Sequence, residues 1–181
     1  MLTTDQKGNI AELAIAFAAR KLGIDVYWPL GEGGRYDFIL DLGGELSRVQ
    51  CKWAARDGEV VVIRCFSCRR TADGLVSRRY SVDEIDMIAA YCLELDTCYL
   101  IPFQELAGQR VVQLRLGPTR NNQQRRIRWA RDFEFVAKLA ALGAVAQLGE
   151  RPAGSREATG SSPVGSTLYL ALPLGAQSDD G

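Results

Sequence analysis

The chain has 181 residues, 47% of them apolar and 24% charged, which is typical of one folded domain with room for a tail beside it. Lysine plus arginine and aspartate plus glutamate both number 22, so the net charge is zero and gives no information about a partner. Histidine is absent, which excludes Ser-His-Asp and Cys-His catalysis as well as His-ligated zinc hydrolases.

The first predicted element is a helix for which Thr3, Thr4 and Asp5 offer N-cap side chains, and it runs to about Leu22 and is closed by Gly23. Every residue from 13 to 19 is apolar, which predicts a helix buried on nearly all sides. Glu12 lies at the edge of this run, where a carboxylate is costly unless it is paired or bound to a metal. The alternative is a surface glutamate that the dipole of the helix favours.

Four strand-like segments follow, at residues 24–28, 36–42, 46–53 and 59–66. Gly43-Gly44 and Asp57-Gly58 are typical of two-residue hairpin turns because these residues tolerate positive φ. The second turn places Cys65 near Gln50, which predicts a small core residue. A structural zinc site at Cys65 and Cys68 is disfavoured, since the sequence has no second CxxC and no histidine.

The Gly43-Gly44 turn also fixes which residues face each other across the hairpin. Asp37 and Gln50 are equidistant from the turn, so their Cβ atoms are predicted to lie about 5 Å apart. Lys52 is two residues beyond Gln50 and therefore points to the same face. One sheet surface thus gathers a carboxylate, an amide and an ammonium, unless this is only a solvated polar face.

These groups suit the hydrolysis of a phosphodiester with Mg²⁺, for which Mn²⁺ can substitute. The predicted oxygen ligands are Asp37, the side chain of Gln50 and the carbonyl of Cys51, with Glu12 as a candidate to complete the shell. The metal would polarise the phosphate and acidify a bound water, while Lys52 would orient that water or stabilise negative charge.

Beyond the four strands, Ser81 to Glu84 has the pattern of a capping box, and Ile85, Ile88 and Cys92 follow at helical spacing. A second helix is therefore predicted there. Two short strands at 98–101 and 111–116 come next, and a final helix is predicted to end near Leu142.

Arginines are unevenly distributed and form two basic clusters, which we expect to contact the phosphate backbone of DNA, although a solvated face is the alternative. One cluster is predicted on a loop after the fourth strand, and the other lies in an acid-free stretch between 107 and 131. The candidate DNA-binding residues are Arg69, Arg70, Arg78, Arg79, Arg120, Arg125, Arg126 and Arg128.

From residue 143 the chain becomes rich in Gly, Ser, Pro and Arg without periodicity, which predicts an unpacked tail over 143–181 after a domain at 1–142. Residues 145–151 and 160–163 are what the D-arm and T-arm of a bacterial tRNA gene would encode. We therefore interpret the tail as a reading frame that runs into a tRNA gene, with a chance Gly/Ser tail as the alternative.

Tyr36-Asp37 followed after twelve residues by Gln50-Cys51-Lys52 resembles the core motif of the PD-(D/E)XK nuclease superfamily. The resemblance covers about residues 7–135 and is closest to the group I intron homing endonucleases of this type, in which glutamine replaces the second acid. Tyr36 stands where proline is usual. Further segments similar to that group are Asn9–Glu12, Gly34–Asp37, Arg79–Ser81 and Tyr99–Pro102.

The resemblance implies an α/β (α+β) fold with a restriction-endonuclease-like αβββαβ core, in which helices flank a mixed sheet. It also implies that Glu12, Asp37, Gln50 and Lys52 are the catalytic set of a Mg²⁺-dependent endonuclease for double-stranded DNA. A homodimer or homotetramer is expected, since two active sites are needed to cut both strands. The alternatives are a nuclease for Holliday junctions or repair, and a catalytically inactive DNA-binding module.

The expected location of the protein is the cytoplasm. Five cysteines without a secretory signal are typical of reduced thiols in a cytosolic protein. No apolar run approaches the length of about eighteen residues that a membrane span needs, so no membrane partner is expected.

Overall fold

The computed structural model describes residues 1–143 except 32, 73, 107 and 119–124, and it describes only the backbone of Arg69 and Arg70. The predicted tail beyond Gly143 lies outside the described residues. Within them, two α-helices and nine strands are present: α1 (Thr4–Lys21), β1 (Asp25–Tyr27), β2 (Phe38–Asp41), β3 (Leu46–Asp57), β4 (Val60–Arg64), β5 (Phe66–Thr71), β6 (Gly74–Arg79), β7 (Met87–Cys92), β8 (Thr97–Pro102), β9 (Val111–Arg115) and α2 (Phe135–Ala141).

Helix α1 begins with a capping box in which Thr3 and Gln6 satisfy each other's backbone N–H groups. Its buried residues, at 11, 15, 16 and 19, recur at helical spacing and form one packed face. Leu13 and Phe17 point away from that face and are 68% and 66% exposed. The prediction of a helix buried on nearly all sides is therefore wrong, because an unbroken apolar run does not show which side meets the sheet.

A seven-stranded mixed sheet forms the centre of the molecule, in agreement with the predicted fold class. Both helices contribute to one apolar cluster, together with residues of β2, β3, β7 and β8. The opposite face of the sheet is covered by residues from connecting segments, including Tyr80, Leu106 and Phe133. Neither helix in the described chain combines the length and apolarity needed to cross a membrane.

The hairpin of β2 and β3 has the predicted register, with Phe38 paired to Val49. Gly43 and Gly44 both have positive φ, 82° and 102°, as a two-residue turn of this type requires. The next hairpin is shifted by one residue from the prediction, because Asp57 pairs with Val60 and the turn is therefore formed by residues 58–59. The shift places Cys65 beyond the end of β4 instead of opposite Gln50, although its side chain is buried as predicted.

Strand β3 is shared by both hairpins along one edge. Residues 46–49 pair with β2, residues 54–57 pair with β4, and no described strand pairs with residues 50–53 on that edge. The opposite edge of β3 is occupied by the parallel strand β7. We call the opening at residues 50–53, between the diverging ends of β2 and β4, the strand gap.

The predicted second helix is wrong. Residues 82–84 form only a single turn, in which the Ser81 N–H donates to the Glu84 carboxylate at 3.1 Å, and the chain then continues into β7. All six residues of β7 are buried between β3 and β8. A strand buried on both faces is apolar at nearly every position, so it satisfies helical and strand periodicity equally well.

The predicted loop after the fourth strand is also wrong, because these residues form a two-stranded antiparallel ribbon of β5 and β6. Every residue of β6 is exposed, including Leu75 and Val76. The ribbon therefore extends from the sheet as a separate pair of strands.

Candidate active site

The strand gap exposes the part of β3 that contains Gln50, Cys51 and Lys52. Asp37 lies at its border, immediately before β2, where its N–H donates to the carbonyl of Val49 at 2.9 Å. The divergence of the two hairpins is therefore what opens β3 to the side chains around it.

Asp37 and Gln50 are adjacent, as the hairpin register predicts. The Asp37 Oδ2 atom accepts hydrogen bonds from the side-chain amide of Gln50 and from the backbone N–H of Cys51, the latter at 2.6 Å. Burial raises the pKa of the Asp37 carboxyl, whereas the Cys51 hydrogen bond and the charge of Lys52 act in the opposite direction. Gln50 itself is only 8% exposed, so the pair is shielded from bulk water.

Glu12 approaches the same site from α1 and is half-buried. Its pKa is raised first by burial and then by repulsion from the carboxylate of Asp37. The buried thiol of Cys51 is influenced by both carboxylates, which raise its pKa after the larger effect of burial. Glu12 and Asp37 therefore share one electrostatic environment, although they are on different elements.

The ammonium of Lys52 lies on the face of β3 that carries Gln50. Its Nζ atom donates a hydrogen bond to the hydroxyl of Tyr80 at 2.7 Å. Burial lowers the pKa of Lys52, while the charge of Asp37 raises it. Lys52 is thus a partly desolvated cation beside a partly desolvated anion.

Three residues that the sequence did not assign to the site surround Lys52. Tyr80 is 8% exposed, and the guanidinium of Arg35 stacks on its ring with 4.4 Å to the centroid. Glu84 accepts a hydrogen bond from Arg35 at 3.1 Å. The only sequence signal for Arg35 and Tyr80 was their position in segments similar to the homing endonucleases, which gives them no role.

The donor chemistry of the site fits a hard divalent cation. Two partly buried carboxylates, Glu12 and Asp37, repel each other in the structure, and a cation between them would remove that repulsion. The Gln50 amide now donates through Nε2, and rotation of its terminal group would present Oε1 instead. No cluster of three His, Cys, Asp or Glu side chains is found among residues 1–143 as far as they are described, so amide and carbonyl oxygens would have to complete the ligand set.

The candidate DNA-binding arginines have different surroundings. Arg78 and Arg79 are exposed on β6, and Arg78 forms an ion pair with Glu84. Arg125 and Arg126 are exposed on a turn, whereas Arg128 donates to the side chain of Gln109 and to the carbonyl of Glu105. Arg69 and Arg70 lie on β5, where their side chains are not described, and Arg120 lies outside the described residues.

A cavity of about 430 Å³ lies between Lys52 and the ribbon of β5 and β6. Its lining includes the cationic side chains of Lys52, Arg64 and Arg110, and no carboxylate among the described residues. Arg110 is held there by a hydrogen bond to Ser77 at 2.6 Å and by stacking on Phe66. The surface next to Lys52 is therefore electropositive.

Comparison with known proteins agrees with this geometry. The family model described as PD-(D/E)XK endonuclease matches residues 2–136. Among solved structures, the chain is similar to the bacterial homing endonuclease I-Ssp6803I, with 26% identity and a TM-score of 0.64, covering 81% of this chain and 98% of that one. No significant match is found among curated proteins.

The matched region contains the helix of Glu12, the hairpin that pairs Asp37 with Gln50, and Lys52. Nucleases of this family act on DNA and generally use divalent metal ions. The predicted family and fold class are thus confirmed, and the chain belongs to the PD-(D/E)XK endonuclease family.

Proposed function

We propose that the protein is a Mg²⁺-dependent endodeoxyribonuclease that cuts double-stranded DNA, of the homing type that group I introns encode. The observation that carries the proposal is the convergence of Asp37, Gln50 and Lys52 at the strand gap, with the carboxylate of Glu12 close enough to perturb Asp37. A carboxylate pair with an amide and an ammonium is the set of groups that phosphodiester hydrolysis requires.

Glu12, Asp37, Gln50 and the carbonyl of Cys51 would hold the metal. When bound, the cation supplies Lewis-acid polarisation of the phosphate and lowers the pKa of a coordinated water. Lys52 stabilises the negative charge that develops on the phosphate, because its ammonium is partly desolvated and already held in place. Asp37 fixes β3 at the gap through the Cys51 N–H, so the ligand atoms are preorganised.

The surface beside Lys52 supports DNA as the substrate. The cationic cavity adjoins the ribbon on which Arg78 and Arg79 are exposed. Because phosphate contacts release counterions, binding through these groups should weaken steeply as salt is raised. The homing role is supported by the similarity to I-Ssp6803I, which extends over 98% of that chain. A homodimer or homotetramer follows from the need to cut two strands with one site per chain.

The proposal is tested by cleavage of supercoiled plasmid DNA in Mg²⁺ with the wild-type protein and two variants. We expect the wild type to nick the plasmid, and to linearise it when the plasmid carries the preferred site that the library described below yields. Lys52→Ala should reduce the cleavage rate by about 100-fold or more, because the group that stabilises the transition-state charge is removed. Arg20→Ala is the matched control, since Arg20 is a cation on α1 that is ion-paired with Asp25, and it should cleave at the wild-type rate.

Two further substrates separate the alternatives. A duplex library with a randomised segment, sequenced after cleavage, should yield one long preferred site for a homing enzyme. Preferential cleavage of a four-way junction would instead indicate a nuclease for branched DNA. DNA binding without cleavage in Mg²⁺ or Mn²⁺ would contradict the proposal and identify a binding module.

A further inference from the structure

The ammonium of Lys52 is held by a tyrosine that is itself clamped. In the part of the chain that the structure describes, the Tyr80 hydroxyl is the only hydrogen-bond acceptor of Lys52 Nζ, at 2.7 Å. The same ammonium lies 5.0 Å from the centroid of the Tyr80 ring. Tyr80 comes from the segment before β7, so this contact joins two distant parts of the chain.

The ring of Tyr80 is also in contact with Arg35. The Arg35 guanidinium stacks on the ring and donates to Ser67 Oγ at 3.1 Å and to the carbonyl of Arg79 at 2.7 Å. It also forms an ion pair with Glu84, whose side chain is 16% exposed. Arg35 therefore has little freedom to move, and neither does the ring it covers.

Such a clamp matters because lysine has a long and flexible side chain. A free lysine side chain has about 2 kcal/mol of rotamer entropy to lose when it must occupy one position. A partly buried ammonium without an acceptor is also costly. The Tyr80 hydroxyl provides the acceptor, and the Arg35 stack fixes where that acceptor lies.

We propose that Tyr80 is a positioning residue for the cleavage reaction, which holds the Lys52 ammonium beside Asp37 before DNA binds, and that Arg35 holds Tyr80. The inference rests on the proposed nuclease function. Among the described residues no hydrogen bond joins Tyr80 to Glu12, Asp37 or Gln50, so Tyr80 would act through Lys52. Its loss should therefore slow the reaction without weakening DNA binding.

The test is Tyr80→Phe, which keeps the ring and the Arg35 stack but removes the hydroxyl. In single-turnover cleavage at saturating DNA, we expect the rate to fall by about 10- to 100-fold, as for a small displacement of a catalytic group. The Kd for DNA, measured in Ca²⁺, should stay within about twofold of the wild-type value. Tyr91→Phe is the matched control because Tyr91 is equally buried and donates to Asp96 at 2.8 Å, away from Lys52. It should leave the rate unchanged.

NMR spectroscopy detects the hydrogen bond between Lys52 and Tyr80 independently of activity. The chain has only four lysines, Lys7, Lys21, Lys52 and Lys138, so their ammonium ¹⁵N NMR signals can be assigned. A hydrogen-bonded ammonium exchanges slowly with water and is observed. We expect the Lys52 signal to disappear in Tyr80→Phe and to persist in Tyr91→Phe. The signal of Lys138, which donates to Glu105 at 2.6 Å, is an internal reference.

The outcomes distinguish this inference from the proposed function. If the wild type cleaves, Lys52→Ala does not, and Tyr80→Phe retains both the full rate and the Lys52 signal, the inference is wrong while the function stands. A parallel loss of rate, DNA affinity and Tm in Tyr80→Phe would indicate a merely structural role and would also overturn it. If Tyr80→Phe does not fold, Arg35→Lys replaces it, because this variant removes the planar guanidinium that stacks on Tyr80. It should lower the cleavage rate and leave the Kd for DNA unchanged. Equal effects on the rate and on the Kd would refute the inference that Arg35 holds Tyr80.

Discussion

Glu12 and Asp37 are two carboxylates in a partly buried site, where burial acts against their negative charge. Both carboxyls have raised pKa values because of burial, and Asp37 adds to the effect on Glu12. Lys52 is the cation that acts on Asp37. A bound cation would offset the burial and the repulsion that raise these pKa values, which links stability to metal binding.

Glu12→Gln should make the metal-free protein more stable, since it removes one of the two repelling charges. We expect its Tm in EDTA to rise by about 2–4 °C, which corresponds to about 1 kcal/mol for a chain of this size. Mg²⁺ should raise the Tm of the wild type and have a much smaller effect on the variant. Thermal unfolding with and without Mg²⁺ measures both changes.

Glu45→Gln is the control for that experiment, because Glu45 is exposed near the turn between β2 and β3. It should leave both the EDTA value and the Mg²⁺-induced shift unchanged. A Mg²⁺ shift of wild-type size in Glu12→Gln would exclude Glu12 from the ligand set.

At the scale of residues, the sequence predicts the contacts that a short loop determines. It does not predict contacts between residues that are far apart in the chain. The pairing of Asp37 with Gln50 follows from a two-residue glycine turn and the alternation of a strand, both of which are local. The contact of Lys52 with Tyr80 joins residues 28 positions apart and depends on how the segment before β7 folds back. The periodicity of the sequence contains no information about how that segment folds back.

Between elements, the hairpin of β2 and β3 is fastened to the turn before β7 by one ion pair. Asp86 accepts three hydrogen bonds from Arg48, two from the guanidinium at 2.9 Å and one from the backbone N–H at 2.8 Å. These bonds lower the pKa of the Asp86 carboxyl below its ordinary value of 3.8. The pair lies where β3 and β7 begin to run in parallel, so it helps to set their register.

Asp86→Asn should lower the unfolding free energy at pH 7 by about 1–2 kcal/mol, a value discounted because the Asp86 side chain is 38% exposed. Because the pKa is lower in the folded state, the stabilisation is present above about pH 4 and is lost as the pH falls through the folded value. The curves of wild type and variant should therefore converge once the pH is below the folded-state pKa of Asp86. Urea unfolding over this pH range measures the difference.

Asp83→Asn, in the same turn, is the control and should change stability by less than about 0.5 kcal/mol at any pH. A constant difference between Asp86→Asn and the wild type across the whole pH range would contradict an electrostatic origin.

The elements also show where pattern reasoning fails. The strand β7 satisfies the spacing of a helix because every residue in it is buried, and the preceding turn imitates a helix start by placing Glu84 on the Ser81 N–H. Every residue of β6 is exposed and none of the described side chains of β5 is buried, so no alternation of buried apolar and exposed polar residues marks these strands. In both cases the pairing partner, and not the segment itself, determines the structure.

At the scale of the whole molecule, the last helix that the structure describes packs against the core just before the segment that we interpret as a tail. Leu139 of α2 is fully buried, and Gly143 ends the helix with a φ of 78° and an N–H bonded to Ala140. The PD-(D/E)XK family match ends at residue 136. The domain of residues 1–142 and the tail of residues 143–181 stay predictions, which a truncation can test.

A protein that stops after Gly143 should fold as the full chain does, with a Tm within about 2 °C. Calorimetry of both forms measures this. A chain that stops after Phe133 is the control and should be strongly destabilised, because it lacks the buried side chains of Phe135 and Leu139. Aggregation of the form ending at Gly143, or a much lower Tm, would show that the tail belongs to the fold.

The strand gap has one more consequence, which concerns solubility. Unpaired backbone on a sheet edge normally invites a strand of another molecule to add to it and so to start aggregation. Here the uncovered stretch at residues 50–53 is bounded on both sides by strands of its own sheet, so an incoming strand has no room to extend. At Cys51 this edge is also satisfied within the molecule, because the Cys51 N–H donates to the Asp37 carboxylate at 2.6 Å, so the stretch can lack a partner strand without recruiting a neighbouring molecule.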